Sequence, residues 1–235
     1  MKNVLITGGS RGIGAACVKA FSDKGWRVFF TYLKSEGDAN KLSAETGAVA
    51  IKCDVSKADE LRNVEKEIDK FGGRFDAVVN NAGIAEQKLF TDITEEDWDR
   101  MFDINMKGMF LTTRKFIPKM ISAHSGCIIN ISSVWGMGGG SCEVHYSASK
   151  AAVIGFTKSL ACEMGPSGIR VNCVAPGVID TKMNSHLTKE DIKALEEETP
   201  LCRTGNSEEV AETVLFLAER GTFITGEVIK VSGGF

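Results

Sequence analysis

Short runs of β-branched and aromatic residues alternate along the chain with longer segments whose apolar residues recur every three to four positions. The runs at 3–6, 27–32, 48–53, 75–80, 126–132, 170–175 and 227–231 read as strands, and the segments at 12–24, 36–46, 57–71, 95–121, 144–164 and 207–219 read as helices. Alternation of this kind predicts a mostly parallel sheet with helices on both faces, an α/β fold. Several strands are apolar throughout, Cys127-Ile128-Ile129-Asn130-Ile131 among them, as both faces of a covered sheet require. No repeat, low-complexity tract or Pro/Gly/Ser linker interrupts the pattern, so residues 1–235 read as a single domain. The irregular stretches 136–143 and 176–187 each follow a strand. In an open α/β sheet the ligand crevice lies beyond the carboxyl ends of the strands, where such loops emerge.

Apolar residues make up 43% of the chain and charged residues 25%, enough to bury a sizeable core. The formal charge of −3 comes from 31 acids against 28 bases without a like-charged block. That balance argues against nucleic acid or an anionic membrane as partner and favours a small-molecule substrate. Seven cysteines without C-x-x-C spacing point to a reducing compartment, the cytoplasm. Met1-Lys2-Asn3 leads straight into Val4-Leu5-Ile6, too short for a signal-peptide core, and no run approaches the roughly 18 apolar residues of a spanning helix.

The first strand enters Thr7-Gly8-Gly9-Ser10-Arg11-Gly12-Ile13-Gly14 and then a helix carrying Ala16, Val18, Ala20 and Phe21. Glycines let a backbone approach a pyrophosphate, and the N–H groups and dipole of the helix that follows attract its charge. Gly8, Ser10, Arg11, Gly12, Ile13 and Gly14 are thus cofactor candidates. The second strand ends Phe30-Thr31-Tyr32-Leu33-Lys34 with no acid at its tip. A carboxylate there would bind the ribose 2′-hydroxyl of NAD, so Arg11, with Lys34, favours NADP(H), NAD(H) remaining the alternative if Glu36 folds back. Thr31 belongs to the same candidate set. Asp54, with Val55 after the third strand, either accepts a bond from adenine or caps the next helix. Asn81, Ala82 and Gly83, in Asn80-Asn81-Ala82-Gly83 after the fourth strand, either touch the cofactor or bind the ends of the sheet.

Tyr146 and Lys150 stand four residues apart on one helical face. A phenol with pKa ~10 needs roughly 4 kcal/mol of preference for phenolate to act as acid and base near neutrality. An ammonium at ~5 Å supplies on the order of 3 kcal/mol at an effective dielectric of ~20. Upstream, Ser133 ends a strand at the carboxyl edge, where a hydroxyl can donate to a carbonyl oxygen gaining charge. Asn105 interrupts a long helical stretch for which Asn is a mediocre former, marking a bend or a buried polar contact.

The T-G-x-x-x-G-x-G loop, N-N-A-G, Ser133 and the Tyr146/Lys150 pair occur together and in order, and the chain resembles the classical short-chain dehydrogenase/reductases over its whole length. The resemblance implies a Rossmann-type doubly wound sheet of seven parallel strands in three αβα layers. It implies Tyr146 as proton donor, Lys150 on the nicotinamide ribose, Ser133 on the carbonyl and Asn105 holding a water that relays protons to Lys150. Ala175-Pro176-Gly177-Val178-Ile179-Asp180-Thr181 matches the segment bordering the nicotinamide, which adds Pro176, Gly177, Ile179 and Thr181 to the cofactor set. Ser10-Arg11-Gly12-Ile13-Gly14, Val171-Asn172-Cys173-Val174-Ala175-Pro176-Gly177 and Thr225-Gly226-Glu227 are most similar to 3-oxoacyl-[acyl-carrier-protein] reductases. Where those enzymes place bases for an acyl carrier protein, this chain has His124 and Ser167.

Trp135, Met137, Gly138-Gly139-Gly140, Met183 and Leu187 are expected to line an apolar pocket under a mobile cover. The resemblance also implies a homotetramer or homodimer built on the segments 95–121 and 144–164. Three functions follow: reduction of an acyl-thioester ketone, oxidation of another secondary alcohol such as a sugar or steroid, or cofactor binding without turnover.

Overall fold

The computed structural model describes residues 1–72, 75–184 and 187–235. Strands β1 (Asn3–Ile6), β2 (Arg27–Tyr32), β3 (Val49–Lys52), β4 (Ala77–Asn80), β5 (Gly126–Ile131), β6 (Ile169–Pro176) and β7 (Val228–Val231) form one sheet in the order β3-β2-β1-β4-β5-β6-β7. Every pairing is parallel. The winding runs outward from β1 to β3 and then returns to β4, which makes the gap between β1 and β4 the switch point where ligands enter such sheets.

The helices are α1 (Gly12–Asp23), α2 (Glu36–Thr46), α3 (Ala58–Asp69), α4 (Glu95–Phe102), α5 (Gly108–Ala123), α6 (Trp135–Gly138), α7 (Val144–Met164), α8 (Lys189–Glu198) and α9 (Ser207–Glu219). Helices α1, α2 and α9 cover one face, where Phe21, Leu42 and Val214 pack against Val4, Ile6 and Phe30. Helices α3, α5 and α7 cover the other, where Leu61, Phe116 and Ala161 meet Leu5, Phe29 and Ile128. Neighbouring strand residues thus serve opposite cores, which is why the strands are apolar throughout. Each fully buried Leu, Ile or Phe contributes about 1.5–3 kcal/mol.

The expected strands hold within a residue or two, and the expected helix at 95–121 is helical throughout. It starts at a capping box between Thr94 and Asp97 and changes to π geometry at Asp103–Lys107 before α5 continues it. Two helices were not foreseen. The short α6 lies inside the stretch expected to be irregular, and α8, opened by a Thr188–Asp191 capping box, buries none of its residues. Ser185 and His186, inside the expected loop 176–187, lie outside the described residues. Among the described residues no helix is long and apolar enough to cross a membrane.

Polar pairs also cross the second core. Asn80 Nδ2 donates to Thr113 Oγ1 at 2.9 Å and to Asn130 Oδ1 at 2.8 Å, and Asn130 Nδ2 donates to Thr157 Oγ1 at 2.9 Å. This ladder ties α5, β4, β5 and α7 together directly beneath the site described below. Asn130→Ala is expected to destabilise the protein by about 2–4 kcal/mol, because it removes one buried partner each from Asn80 Nδ2 and Thr157 Oγ1. Chemical denaturation checks this, and a change under about 1 kcal/mol would contradict it.

Candidate active site

The glycine loop is clamped from two sides. Thr7 Oγ1 accepts from the N–H groups of Asn81 and Ala82, each at 3.0 Å, and Asn81 Nδ2 donates to the carbonyls of Thr7 at 2.9 Å and Gly8 at 3.0 Å. From β2, Thr31 accepts from Gly8 N through its hydroxyl at 3.2 Å and from Gly9 N through its carbonyl at 2.8 Å. Gly8 holds φ +63°, and a Cβ there would stand 2.9 Å from Ala82 Cα; at Gly14 a Cβ would stand 2.3 Å from Gly8 O. Only glycine fits either place. The N-cap residue Arg11 makes no side-chain cap and the first turn of α1 carries no acid. Among the described residues the N–H groups at this helix start have no side-chain acceptor, an arrangement that fits the pyrophosphate of a dinucleotide. Thr181, from the loop after β6, lies against Gly12 across this opening.

Several expected cofactor residues also make structural contacts. Thr31 is 1% exposed and supports the loop from behind. Asp54 does not cap α3, whose N-cap is Lys57. Its Oδ1 accepts from Ser56 N at 3.0 Å and Ser56 Oγ at 2.7 Å, so the carboxylate shapes the turn after β3. Val55 is buried against Gly108. Arg11 and Lys34 are both exposed, while Ser10 is half-buried in the loop. Asn81 serves the sheet and loop ends as well as the cavity wall.

At the carboxyl end of β5, Ser132 Oγ donates to Lys150 O at 2.8 Å and fixes α7 against the strand. The Ser133 hydroxyl accepts from Trp135 N at 3.2 Å and is close enough to Tyr146 to hold the phenol's pKa down. Lys150, one turn after Tyr146, donates to Ile131 O at 2.9 Å with its ammonium 5.7 Å from the centre of the phenol ring. Asn105 sits in the π turn, and of the two expectations for it the buried polar contact holds. Its carboxamide accepts from Ile84 N at 2.8 Å and donates to Ile84 O at 2.9 Å and Ser149 Oγ at 3.0 Å, while Ser149 Oγ donates to Tyr146 O at 2.7 Å. The π turn thus joins the segment after β4 to the first turn of α7. A Cβ on Gly83 would lie 3.1 Å from Asn105 Oδ1 and 3.4 Å from Lys150 Nζ, so these two groups converge over a glycine.

Burial pushes the Tyr146 phenol up to about 12, with the Ser133 hydrogen bond opposing the rise and the Glu143 charge adding to it. Burial also pulls the Lys150 ammonium down to about 8, with nearby Cys173 opposing. The expectation that the lysine tips the phenol toward phenolate is therefore overturned in the protein alone. Desolvation outweighs an ammonium that faces the ring and a carbonyl. The phenol keeps its proton at neutral pH, the form a proton donor requires.

Tyr146, Ser133 and Lys150 line a cavity of about 560 Å³ together with Ile13, Asn81, Gly83, Pro176, Gly177, Ile179 and Thr181. Trp135, Met183 and Leu187 line it as expected, but Met137 and Gly138–Gly140 do not, and Met137 is 51% exposed. The sequence reading missed residues 84–87 and Leu195, which also line it. The former follow N-N-A-G at the end of β4, where the crevice rule points. His124 and Ser167 lie at the amino ends of β5 and β6, where Gly168 approaches His124 O, at the opposite edge of the sheet from the cavity.

A family model described as enoyl-(acyl carrier protein) reductase matches residues 8–235. The chain is 40% identical over 239 residues to the 3-oxoacyl-[acyl-carrier-protein] reductase FabG of Staphylococcus aureus, covering 99% of this chain and 97% of that one. It is 42% identical over 238 residues to the 3-oxoacyl-[acyl-carrier-protein] reductase of Synechocystis, covering 98% and 95%. The crystal structure of a 3-oxoacyl-[acyl-carrier protein] reductase from Brucella melitensis superposes with a TM-score of 0.92 at 38% identity, covering 100% of this chain and 91% of that one. With the parallel seven-stranded sheet and this full-length match, the chain belongs to the short-chain dehydrogenase/reductase family and is an oxidoreductase acting on CH–OH groups.

Proposed function

We propose that the protein reduces a 3-oxoacyl thioester to the 3-hydroxyacyl thioester with NADPH. The observation that carries this reading is the convergence of Tyr146, Ser133 and buried Lys150 on the wall of one cavity at the carboxyl end of the sheet. The substrate class rests on the relatives' names.

Bound NADPH supplies hydride to the carbonyl carbon. Ser133 and Tyr146 hold the carbonyl oxygen, and as charge grows on it the Tyr146 proton passes to it, completing the alcohol. Lys150 would hold the nicotinamide ribose through its ammonium and stabilise the phenolate left behind. Asn105 and Lys150, converging over Gly83, flank the place from which a water returns a proton to Lys150. Gly8, Gly12, Ile13 and Gly14 would receive the pyrophosphate; Asn81, Ala82 and Gly83, with Pro176, Gly177, Ile179 and Thr181, would border the remainder of the cofactor. Thr31, Asp54 and Val55 shape its surroundings from the positions given above.

Arg11 and Lys34 favour the 2′-phosphate of NADPH over NADH. Assays of cofactor oxidation with an acetoacetyl thioester test both parts. Turnover with NADPH is expected, and Arg11→Ala is expected to lower kcat/KM for NADPH about tenfold with little change for NADH. Turnover only with sugars, steroids or other alcohols would overturn the substrate, and an unchanged cofactor ratio would overturn the role of Arg11. An acyl carrier protein is not part of the proposal, since His124 and Ser167 supply no basic pair and lie away from the cavity. The seven unpaired cysteines support a cytoplasmic setting, and exposed Trp98, Phe110 and Val144 on α4, α5 and α7 support a homotetramer through those helices.

A further inference from the structure

One charged group on the cavity wall takes no part in the proposed reaction. Glu86 follows β4 and lines the cavity opposite the loop after β6. Its Oε2 accepts from Arg100 Nη2 at 2.9 Å and stands 3.8 Å from Nε2 of His145. His145 is fully buried, and neither of its ring nitrogens has a hydrogen-bond partner. A buried imidazole without a partner is costly, and this one is aimed at the Glu86 carboxylate from inside while Arg100 holds it from the solvent side. Both contacts fall on Oε2. Among the described residues no hydrogen bond reaches Oε1, so a residue that lines the cavity keeps an unused acceptor.

The charge around it is one-sided. Gln87 Nε2 donates to Glu143 Oε1 at 3.2 Å, which brings a second carboxylate to the same wall. Among the described residues that line the cavity, only Glu86, Glu143 and Lys150 carry charge, and Lys150 is buried and bonded to Ile131 O. An anionic substrate group would meet two carboxylates and no accessible cation, whereas an N–H or O–H group would meet an acceptor.

We propose that Glu86 determines specificity in this cavity, accepting a hydrogen bond from a donor near the reacting carbonyl and excluding carbonyl compounds that carry an anionic group there. The proposal rests on the reading that the carbonyl binds at Tyr146 and Ser133. A thioester on an amide-bearing arm meets both conditions, being neutral beside the carbonyl and offering N–H groups. The corresponding free 3-oxo acid meets neither.

The test is kcat/KM with NADPH for three ketones: acetoacetate, ethyl acetoacetate and the N-acetylcysteamine thioester of acetoacetate. Wild-type protein is expected to prefer the neutral ester over acetoacetate by about tenfold or more, and the thioester over the ester. Glu86→Gln keeps size and shape and is expected to shrink the ester-to-acetoacetate ratio severalfold. Arg100→Met, at an exposed position, removes the counter-charge and is expected to widen it. Equal use of acetoacetate and ester by the wild type, or a ratio that neither substitution moves, would overturn the proposal while leaving the proposed reaction intact. Absence of turnover on all three ketones would overturn the proposed reaction, and this proposal with it.

Discussion

Tyr146→Phe is expected to lower kcat for carbonyl reduction by about a thousandfold while NADPH binds within about twofold of wild type. The substitution removes one oxygen from a ring that is 8% exposed and leaves its packing in place. Ser133 keeps its bond from Trp135 N, so the turn after β5 does not depend on the lost hydroxyl. Stability should therefore change by no more than about 1 kcal/mol, the net worth of one hydrogen bond. A purely structural role for the phenol would produce the reverse pattern, with a lower melting temperature and turnover largely retained. Steady-state rates, a fluorescence titration with NADPH and a thermal melt on the same sample separate the two. Retention of more than about a tenth of the wild-type rate would exclude Tyr146 as the proton donor.

The group of features that made Tyr146 recognisable was local. Its four-residue spacing from Lys150 puts both on one side of α7, and Ser133 ends a strand that any hydrophobic pattern would find. The strands were legible for a related reason. Leu5 and Ile6 are each wholly buried against opposite cores, so local apolarity carries the tertiary fact. The π turn was not legible in the same way. It depends on Asn105 meeting Ile84 and Ser149, partners 21 and 44 residues away, and the sequence showed only an amide where a helix would not choose one.

Helix α8 escaped because its signal lies at its start. Ile192 and Leu195 give it little periodicity, although Thr188 and Asp191 already spell a capping box. Thr31 and Asp54 stand at strand ends, and only the folded chain shows that they also hold the loops beside them. Glu86 had no sequence signal, since its meaning comes from His145 and Arg100 closing on it in space. The balance of charge on Tyr146 was also hidden. Distance and dielectric favoured the lysine, but the decisive quantity was burial, which only the packed structure supplies.

Burial has a second consequence, for Lys150. Lys150→Met is expected to remove most activity, about a hundredfold or more, and yet to stabilise the protein at neutral pH by about 1–2 kcal/mol. The ammonium is 5% exposed and its pKa falls from 10.5 to about 8 in the fold. Between those values the unfolded chain binds a proton that the native protein does not. Stability of the wild type therefore rises with pH from about 8 to 10.5, and below that window the native state carries a cost of about 3 kcal/mol. The bond to Ile131 O offsets part of that cost, which leaves the smaller net gain expected for methionine, a side chain of similar length. For a chain of this size the gain corresponds to a rise of roughly 2–8 °C in melting temperature at pH 7. It should shrink as pH approaches 10, where wild-type Lys150 is neutral as well. The same titration governs the reaction: kcat/KM for NADPH in the wild type should fall as pH rises through about 8, because the free protein then loses the charge that would hold the ribose. A methionine variant that melts below the wild type at pH 7, or a wild-type profile flat from pH 7 to 9, would show that the buried ammonium does not control both properties.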